Sequence, residues 1–597
     1  MTEKETIATH STRPEDRIRF SQLAAYGAGG LIPIALFNIA GILVGLMGNI
    51  SLGLSAFWLG FILIIPRLWD ALSDPIIGHL SDNTRTRWGR RRPYLLVGGL
   101  LVAVFFVVML WIPKGDMVRA WFPSDTGYQA FQLVYILFTL LLFFTSVNIF
   151  EIPHCALGME LTSDYHERTR LFSAKSFVGN LFAMSTPWLF SLASMEVFKG
   201  TGGNEADGMR YVSLLIAAIL IPLSLWWTFK LREPGFVKAA KHEKTPFWQD
   251  MKRTARNKNF VMLTLTIFTL AMGFNFVQLL GSYIPIFYVF GGDKVAGARL
   301  LGINGTVWAV TGLLAVFPLN WISPKLGKRN TLTLAILLMC LAQLSKILCY
   351  NPAYPYLIII PTVLLSAGML FFFTLGSSMV GDICDEDELK TGYRAEGSYY
   401  SVFWWFIKMG TALASLVAGA LIVLTMFDET QVTKVDALQG SIRELRSEIE
   451  SGKNNKPAEG NLEELINKAK LKSGELKTHL EIKSAETKNS REHYRQIIRD
   501  IAGIHKRVVN INTGMPLESL DKELVAIEKD ISPLTKQTPY TLLMMRIVEI
   551  GLPVLLSLLS VFFVFRYSLT EKRSHEIKDL LKQRNSERSD EAKTDKE

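Results

Sequence analysis

The stretch LWDALSDPIIGHLSDNTRTRWGRRRP, residues 68–93, decides the fold class because it joins an apolar run to a dense block of arginines. Two carboxylates, Asp70 and Asp74, stand within its apolar part. A charged side chain in a membrane-spanning helix costs about 2.5–3.5 kcal/mol on insertion scales and almost always faces a cavity or a partner. The pattern therefore predicts a transmembrane helix with a functional polar face, followed by a basic loop.

Apolar runs recur along the whole chain of 597 residues, which is 49% hydrophobic and has a mean hydropathy of +0.24. Many runs reach the ~20 residues that a helix needs to cross a bilayer. The sequence predicts an all-α polytopic membrane protein with 12 transmembrane helices in two six-helix halves. The predicted spans are residues 22–47, 54–82, 93–113, 127–157, 171–196, 210–230, 258–290, 297–322, 330–349, 354–383, 397–426 and 541–566.

Basic residues are concentrated in short loops on one side of these spans: 85–92, 164–170, 230–258 and 324–330. The positive-inside rule places these loops and both termini in the cytoplasm, and we expect a bacterial inner (cytoplasmic) membrane. Much of the net charge of +10 falls in these loops. The charge therefore indicates a lipid bilayer as partner, and no nucleic acid.

The predicted domain map contains one segment that interrupts the helical pattern. Its boundaries are 1–21 for the cytoplasmic N-terminal tail, 22–230 for the first half, 231–257 for a cytoplasmic linker, 258–426 for spans seven to eleven, 427–540 for a polar insert, 541–566 for span twelve and 567–597 for the cytoplasmic C-terminal tail. By parity the insert is extracytoplasmic. Helical spacing from Val435 to Ile449 and the helix-forming stretch 462–501 predict a helical hairpin. We favour a tolerated spacer over a docking domain for an extracytoplasmic protein partner.

Asp70 and Asp74 are four residues apart, so their carboxylates lie on one face of a helix, with Ser73 beside Asp74. Two carboxylates and a hydroxyl form a hard-oxygen site that suits Na⁺, or that shares protons between its carboxylates. In the alternative interpretation, Asp74 only braces the end of the span before Pro75, paired with an arginine.

Glu151 interrupts another apolar run and also needs a cationic partner. The candidates are Lys175 and Lys408, each within or near an apolar run. A carboxylate network balanced by one lysine changes its net charge when an ion or a substrate binds, which couples the two ligands. Snorkelling to the cytoplasmic surface is an almost equal alternative for Lys175. His154 either carries protons or makes a hydrogen bond between helices.

Both halves carry one cytoplasmic turn, in full after span two and in reduced form as SPKLGKR (323–329) after span eight, as a duplicated transporter predicts. The chain resembles the glycoside–pentoside–hexuronide:cation symporters of the major facilitator superfamily, the branch that includes melibiose permease. The residues that carry the resemblance are WDALSDPIIG (69–78), RWGRRRP (87–93), EIPHCALGMEL (151–161), ERTR (167–170), GDICDEDELKTGYRAEGSYYSV (381–402), Lys408 and TPYTLLMMR (538–546). The insert lies outside the family pattern.

The resemblance assigns roles to three sets of residues. The implied cation site consists of Asp70, Ser73, Asp74 and Asn148, with Asp70 and Asp74 as ligands if the ion is sodium. The implied substrate and coupling residues are Glu151, Lys175 and Lys408. The implied conformational latch consists of Gly78, Asp82, Arg87, Gly89, Arg90 and Arg91. Because both aspartates are retained, Na⁺ is slightly favoured over H⁺ as coupling ion.

The sequence also departs from the family. The first-helix Lys–Asp pair that contacts sugar in melibiose permease aligns with Pro33 and Ile34, and a span-four tryptophan aligns with Cys155. Sugar recognition needs polar groups and an aromatic platform. The residues that could replace them are Asn38, Gln278, Trp404 and Trp405.

The sequence therefore predicts cation-coupled symport of a sugar or glycoside by alternating access of the two halves. Two alternatives stay open. The lost first-helix charges favour an amphiphilic cargo such as a lysolipid or drug-like molecule, and the insert suggests a non-transporting receptor. We expect no enzyme activity, since no P-loop or nucleophile motif occurs, and no cofactor besides the coupling ion.

Overall fold

A computed structural model describes residues 17–594 of the chain except for several short segments. The segments outside the description are 37–51, 53, 55, 123, 186–188, 190–191, 194, 200–204, 234–246, 282, 426, 453–458, 487–490 and 513–514. Every regular element in the described part is helical.

The helices follow one another in chain order, with short connections between most of them. The first half contains α1 (Phe20–Ala28), α2 (Ala56–Asn83), α3 (Arg92–Leu110), α4 (Asp125–Leu161), α5 (Tyr165–Ala183) and α6 (Glu205–Lys230). The second half contains α7 (Phe247–Arg256), α8 (Lys258–Gly281), α9 (Lys294–Leu314), α10 (Val316–Cys349), α11 (Ile359–Thr391) and α12 (Glu396–Leu424). The remaining α-helices of more than four residues are α13 (Glu429–Gly452), α14 (Glu459–Glu486), α15 (Arg491–Asn510), α16 (Leu517–Ile531), α17 (Pro539–Arg566) and α18 (Glu571–Thr594).

Seven helices of the described part are long and apolar enough to cross a membrane. They are α3, α4, α6, α8, α10, α17 and the segment Pro355–Thr391, which includes α11. Helices α2, α5, α9 and α12 overlap further predicted spans, although α5 ends at Ala183 and α9 at Leu314, before the predicted ends at 196 and 322. The count of twelve spans stays a prediction, whereas the all-helical membrane architecture is confirmed.

Glycine sets the geometry where the chain turns or where helices cross closely. Gly327 has φ +75° inside α10, so α10 is two helices joined at the SPKLGKR turn. On the α2–α12 contact, a Cβ added to Gly78 would lie 2.5 Å from the carbonyl oxygen of Gly397. The two backbones therefore touch at this crossing, which brings the polar faces of α2 and α12 together.

The insert differs from the predicted hairpin, because it contains four helices, α13 to α16. Their inward side chains form a hydrophobic core separate from that of the membrane domain. The stretch 462–501, predicted as one long helix, is divided between α14 and α15, which pack against each other. Helical periodicity continues in phase through both helices, so the pattern alone did not reveal the turn between them.

The insert is joined to the second half by a compact stem. Asp428 accepts a hydrogen bond from the N–H of Gln431 and so caps α13, and the Gln431 amide donates to the Leu534 carbonyl at 2.5 Å. Thr535 then donates to the carbonyl of Gly292 at 3.0 Å. These bonds hold both ends of the insert together beside α9.

We expect Leu524→Ala to lower the free energy of unfolding of the insert by about 2–5 kcal/mol, because Leu524 is fully buried in the four-helix core and truncation leaves a cavity. Val525→Ala is the matched control, since Val525 is 46% exposed and should change stability by less than about 0.5 kcal/mol. Denaturant unfolding of a fragment spanning residues 428–537, followed by circular dichroism, measures both. Equal losses from the two variants would contradict the assigned core.

Candidate functional site

A buried cluster of charges joins the two halves where α2, α4 and α12 meet. Lys408 Nζ of α12 lies 3.0 Å from Asp70 Oδ2 and 2.7 Å from Asp74 Oδ2, both on α2. Both aspartates are fully buried, and Lys408 is 8% exposed. One cation from the second half is therefore shared by two carboxylates of the first half.

Asn148 of α4 extends this cluster. Its Nδ2 donates to Asp70 Oδ1 at 2.6 Å and to Ser73 Oγ at 3.4 Å, while its Oδ1 accepts from Lys408 Nζ at 3.3 Å. Among the described residues, Asp74 Oδ1 has no hydrogen-bond donor. All four predicted cation-site residues thus converge, and they present the oxygen-rich surroundings that hard cations and protons prefer.

The alternative in which Asp74 braces the end of a span does not match the structure. Helix α2 continues through Pro75 and ends at Asn83. Asp74 also pairs with Lys408 and not with an arginine. Asp74 therefore belongs to the interior of the domain.

A second polar cluster is built around Glu151 of α4. Lys175 Nζ of α5 lies 3.6 Å from Glu151 Oε1 and donates to Cys155 Sγ at 2.8 Å. Lys175 is 6% exposed, so it pairs with Glu151 inside the protein and does not snorkel to the surface. Lys408 pairs with Asp70 and Asp74 in the first cluster, so the two predicted lysines have different carboxylate partners.

Aromatic side chains from both halves surround this second cluster. The Tyr400 ring of α12 lies 6.0 Å from Lys175 Nζ, and Trp404 is 6.2 Å from Tyr400 between ring centroids. The hydroxyls of Tyr26 and Tyr400 and the indole N–H of Trp404 are buried without a well-aligned hydrogen-bond partner among the described residues. Buried donors of this kind normally bind water or a ligand. The cluster therefore combines an ion pair, aromatic faces and available donors.

Other residues named from the sequence lie elsewhere. His154 Nε2 contacts the carbonyl of Tyr26 at 3.1 Å, and the two rings stack at 4.3 Å, so His154 joins α4 to α1. Ile34 occupies the space where a side chain on Gly179 of α5 would stand. Trp405 packs on the ring of Phe406. Asn38 and the side chain of Gln278 lie outside the described residues.

The basic face, defined as the end of the membrane domain that carries loops 85–92, 164–170 and 324–330, is closed by buried ion pairs. Arg90 donates to Glu160 at 2.6 Å and to Glu396 at 2.9 Å. Arg91 pairs with Asp82 and with Glu160. Burial alone would lower the pKa of Arg91, but the carboxylates of Asp82, Glu160 and Glu396 raise it above its ordinary value. The two arginines of the first half, which are themselves paired with Asp82 and Glu160, thus hold Glu396 of the second half.

Asp82 also caps a helix of the opposite half. Its carboxylate accepts from the N–H groups of Gly397 at 3.0 Å and Ser398 at 2.8 Å, at the start of α12. A carboxylate at a helix N-terminus satisfies orphan donors and complements the helix dipole. This contact exists only while the two halves meet at the basic face, which supports the predicted latch role of Asp82.

A second network at the basic face joins an arginine of the first half to carboxylates of the second half. Arg168 of α5 donates to Asp382 at 2.5 Å and to Asp385 at 2.7 Å, both on α11. Lys328, which follows the Gly327 kink, donates to Asp382 at 2.6 Å. Two separate sets of buried ion pairs therefore join the two halves at the basic face.

The remaining latch residues shape the turn before α3. Gly89 has φ +111°, and the carboxylate of Glu233 fills the space of its missing side chain. Glu233 in turn accepts from the N–H of Arg90 at 2.9 Å. Arg87 is exposed and lies outside the buried network.

Several of these partners were not predicted from the sequence. The residues concerned are Tyr26, Glu160, Arg168, Lys328, Asp382, Asp385, Glu396 and Tyr400. Most stand in the motifs quoted for the family resemblance, at the ends of apolar runs in both halves, and that repetition was the available signal. A separate buried ion pair, Lys346 with Glu549, joins α10 to α17 and was also missed.

We expect Arg168→Gln to open the basic face, because it removes the cation of the first half from Asp382 and Asp385 and leaves these carboxylates paired within their own half. The labelling rate of buried Cys384 by a maleimide, with the other three cysteines replaced, should rise at least about tenfold. Arg170→Gln is the control, since Arg170 is 43% exposed and pairs within its own helix. Equal labelling of all three proteins would contradict the latch.

Comparison with known proteins agrees with this architecture. Residues 25–447 match the family described as MFS/sugar transport protein. An uncharacterised symporter of Synechocystis sp. is 26% identical over 486 residues, which cover 68% of this chain and 85% of the relative. The isoprimeverose transporter of Lactiplantibacillus pentosus is 26% identical over 376 residues, 62% of this chain and 73% of the relative.

A further relative and a solved structure extend the comparison. The glucuronide carrier protein homolog of Escherichia coli is 22% identical over 389 residues, 65% of this chain and 80% of the relative. A bacterial homologue of the iron transporter ferroportin, in an outward-facing state, aligns with a TM-score of 0.51 at 13% identity, over 68% of this chain and 92% of that one, which shows a shared fold alone. The chain therefore belongs to the MFS/sugar transport family, as its resemblance to glycoside–pentoside–hexuronide:cation symporters predicts, and it is a multi-pass membrane transporter and not an enzyme.

Proposed function

We propose that this protein is a secondary active transporter that carries a sugar or glycoside together with Na⁺ or H⁺. The observation that carries the proposal is the sharing of Lys408 by Asp70 and Asp74 across the interface between the halves. We also propose that the basic face is cytoplasmic and that the protein resides in the inner membrane of a bacterium.

The ion step follows from charge balance in a buried site. With both aspartates ionised, Lys408 neutralises one of the two carboxylates, and excess negative charge in a low-dielectric interior is unfavourable. A bound monovalent cation or a proton removes that excess. Its binding also weakens the hold of the two carboxylates on Lys408, and so loosens a contact between the halves.

The substrate step uses the Glu151–Lys175 cluster. A carboxylate accepts hydrogen bonds from sugar hydroxyls and an ammonium donates to them. The donors of Tyr26, Tyr400 and Trp404, which lack a well-aligned partner among the described residues, come from both halves, so a substrate that accepts from them contacts both halves at once. This arrangement suits a polyol better than an amphiphile, which offers few hydroxyl groups.

Coupling then arises because both ligands act on one equilibrium. Ion binding relieves the charge that draws Lys408 towards α2, and substrate binding reorganises the neighbouring surface of α12. Each ligand favours a rearranged interface, and by linkage each raises the affinity for the other. The closed basic face must then break its ion pairs to release both ligands on that side.

Uptake of labelled mono- and disaccharides into reconstituted vesicles tests the proposal, with an imposed Na⁺ or H⁺ gradient. We expect one gradient to drive accumulation of at least one sugar. Asp70→Asn should lower the initial rate at least about 100-fold, because it removes a carboxylate of the ion site and leaves the neutral Lys408–Asp74 pair, which has no excess negative charge for a cation to balance. Asp530→Asn, in the insert and 52% exposed, should leave uptake unchanged.

Two outcomes would overturn this assignment. The first is that folded protein accumulates no sugar under either gradient but binds amphiphiles. That result would show that the cargo is amphiphilic and not a sugar. A variant lacking residues 429–534 separates transport from a receptor role. Uptake that survives this deletion excludes the receptor, whereas ligand binding that is lost with the insert and occurs without uptake would establish it.

A further inference from the structure

We propose that His166, Glu571 and His575 form a binding site for a divalent transition metal ion that ties the C-terminal helix to the first half. The inference goes beyond transport itself and does not depend on the identity of the cargo. His166 belongs to α5, whereas Glu571 and His575 belong to α18. One ligand atom from each of the three side chains lies within 4.8 Å of the other two.

The geometry of these groups is close to that of a metal site. His166 Nε2 lies 3.1 Å from Glu571 Oε1, and the two imidazole centroids are 6.1 Å apart. Ligand atoms in a tetrahedral zinc site are about 3.3 Å apart, since zinc–nitrogen and zinc–oxygen bonds are about 2.0–2.2 Å long. All three side chains are half-buried, so small side-chain rotations bring a ring nitrogen of His575 to this separation from the other two ligand atoms.

A second observation orients His575 for such a role. Its Nδ1 lies 2.9 Å from the backbone carbonyl of Glu571, one helical turn earlier. An N–H donated from Nδ1 to this carbonyl makes Nε2 the ring nitrogen that carries the lone pair, and a carbonyl on the other ring nitrogen is the usual outer-shell arrangement of metal-binding histidines. Two imidazoles and one carboxylate then leave a fourth position for water, which suits Zn²⁺ or Co²⁺ and an exchangeable site.

The surroundings give the site a mechanical consequence. Gly327, at the kink of α10 in the second half, lies beside Glu571, because a Cβ there would be 3.2 Å from Glu571 Oε2. Further along α18, Lys578 pairs with Asp164 of the first half at 2.9 Å. Arg584 donates to the carbonyls of Glu388 and Leu389 of the second half at 3.0 and 3.1 Å. Helix α18 therefore crosses both halves at the basic face.

Helix α18 thus acts as a strap across the two halves, attached through Lys578 and Arg584. A metal ion at its first turn would add a third attachment. Ile577 and Leu581 of α18 are buried in the core of the membrane domain, so the helix is seated and not merely tethered. An ion that links α5 to α18 stabilises the conformation in which the basic face is closed. The predicted consequence is a transporter that is slower when the metal is bound.

The test uses the full-length protein, purified in detergent without a polyhistidine tag, and Zn²⁺ and Co²⁺ as probes. We expect one Co²⁺ to bind with the visible absorption of a four-coordinate site, and Zn²⁺ to displace it. His166→Ala and His575→Ala should each weaken Zn²⁺ affinity at least about tenfold, since even loss of an outer-shell partner costs roughly 10- to 100-fold. His493→Ala, in the insert, is the control and should bind as wild type does.

The same proteins give a second, independent readout. Zn²⁺ should raise the melting temperature of the wild type and of His493→Ala, and should leave that of His575→Ala unchanged. Unchanged affinity in both histidine variants, or no binding to the wild type at 100-fold excess over protein, would show only a histidine–carboxylate ion pair and would overturn the site. Binding without a rise in melting temperature would overturn the strap.

Discussion

The structure depends on one buried charge that belongs to both halves: the Lys408 ammonium, held between Asp70 and Asp74. Two carboxylates in an apolar helix are unstable unless a partner compensates them, and here the partner comes from the opposite half. The contact therefore stabilises the domain interface and leaves it sensitive to any added cation. A binding site and a conformational contact are made from the same side chains.

The basic face applies the same principle a second time. Asp82 caps α12 across the interface, and Arg168 donates to two carboxylates of α11. Such pairs add little net stability compared with apolar packing, but they are costly to break singly. They consequently favour two discrete arrangements, fully joined or fully separated and hydrated, over a continuum. The close contact of Gly78 with Gly397 keeps α2 and α12 near enough for Asp82 to cap α12 and for Lys408 to reach Asp70 and Asp74.

Much of this could be predicted from the sequence, and the limits have physical causes. Helical spacing placed Asp70 and Asp74 on one face, and the cost of buried charge singled out Glu151 and both lysines. The pairing of these charges was harder to predict, because both Lys175 and Lys408 were candidate partners of Glu151 and only the arrangement of the helices in space separates them. The partners of Arg168 lie more than two hundred residues away, so no local pattern identifies them. In the insert, the apolar positions keep one helical period across the turn between α14 and α15. The pattern therefore predicted a hairpin where the structure has four helices.

The distance across the basic face tests most directly whether the two ligands separate the halves. Spin labels on Arg87→Cys and Lys390→Cys, both exposed and on opposite halves, report that distance by pulsed electron paramagnetic resonance once the native cysteines are replaced. If Lys408 couples the two sites, the coupling ion and the sugar together shift the population to a longer distance, and Asp70→Asn abolishes this response. An identical distance distribution with and without both ligands, in protein that binds them, would contradict this coupling.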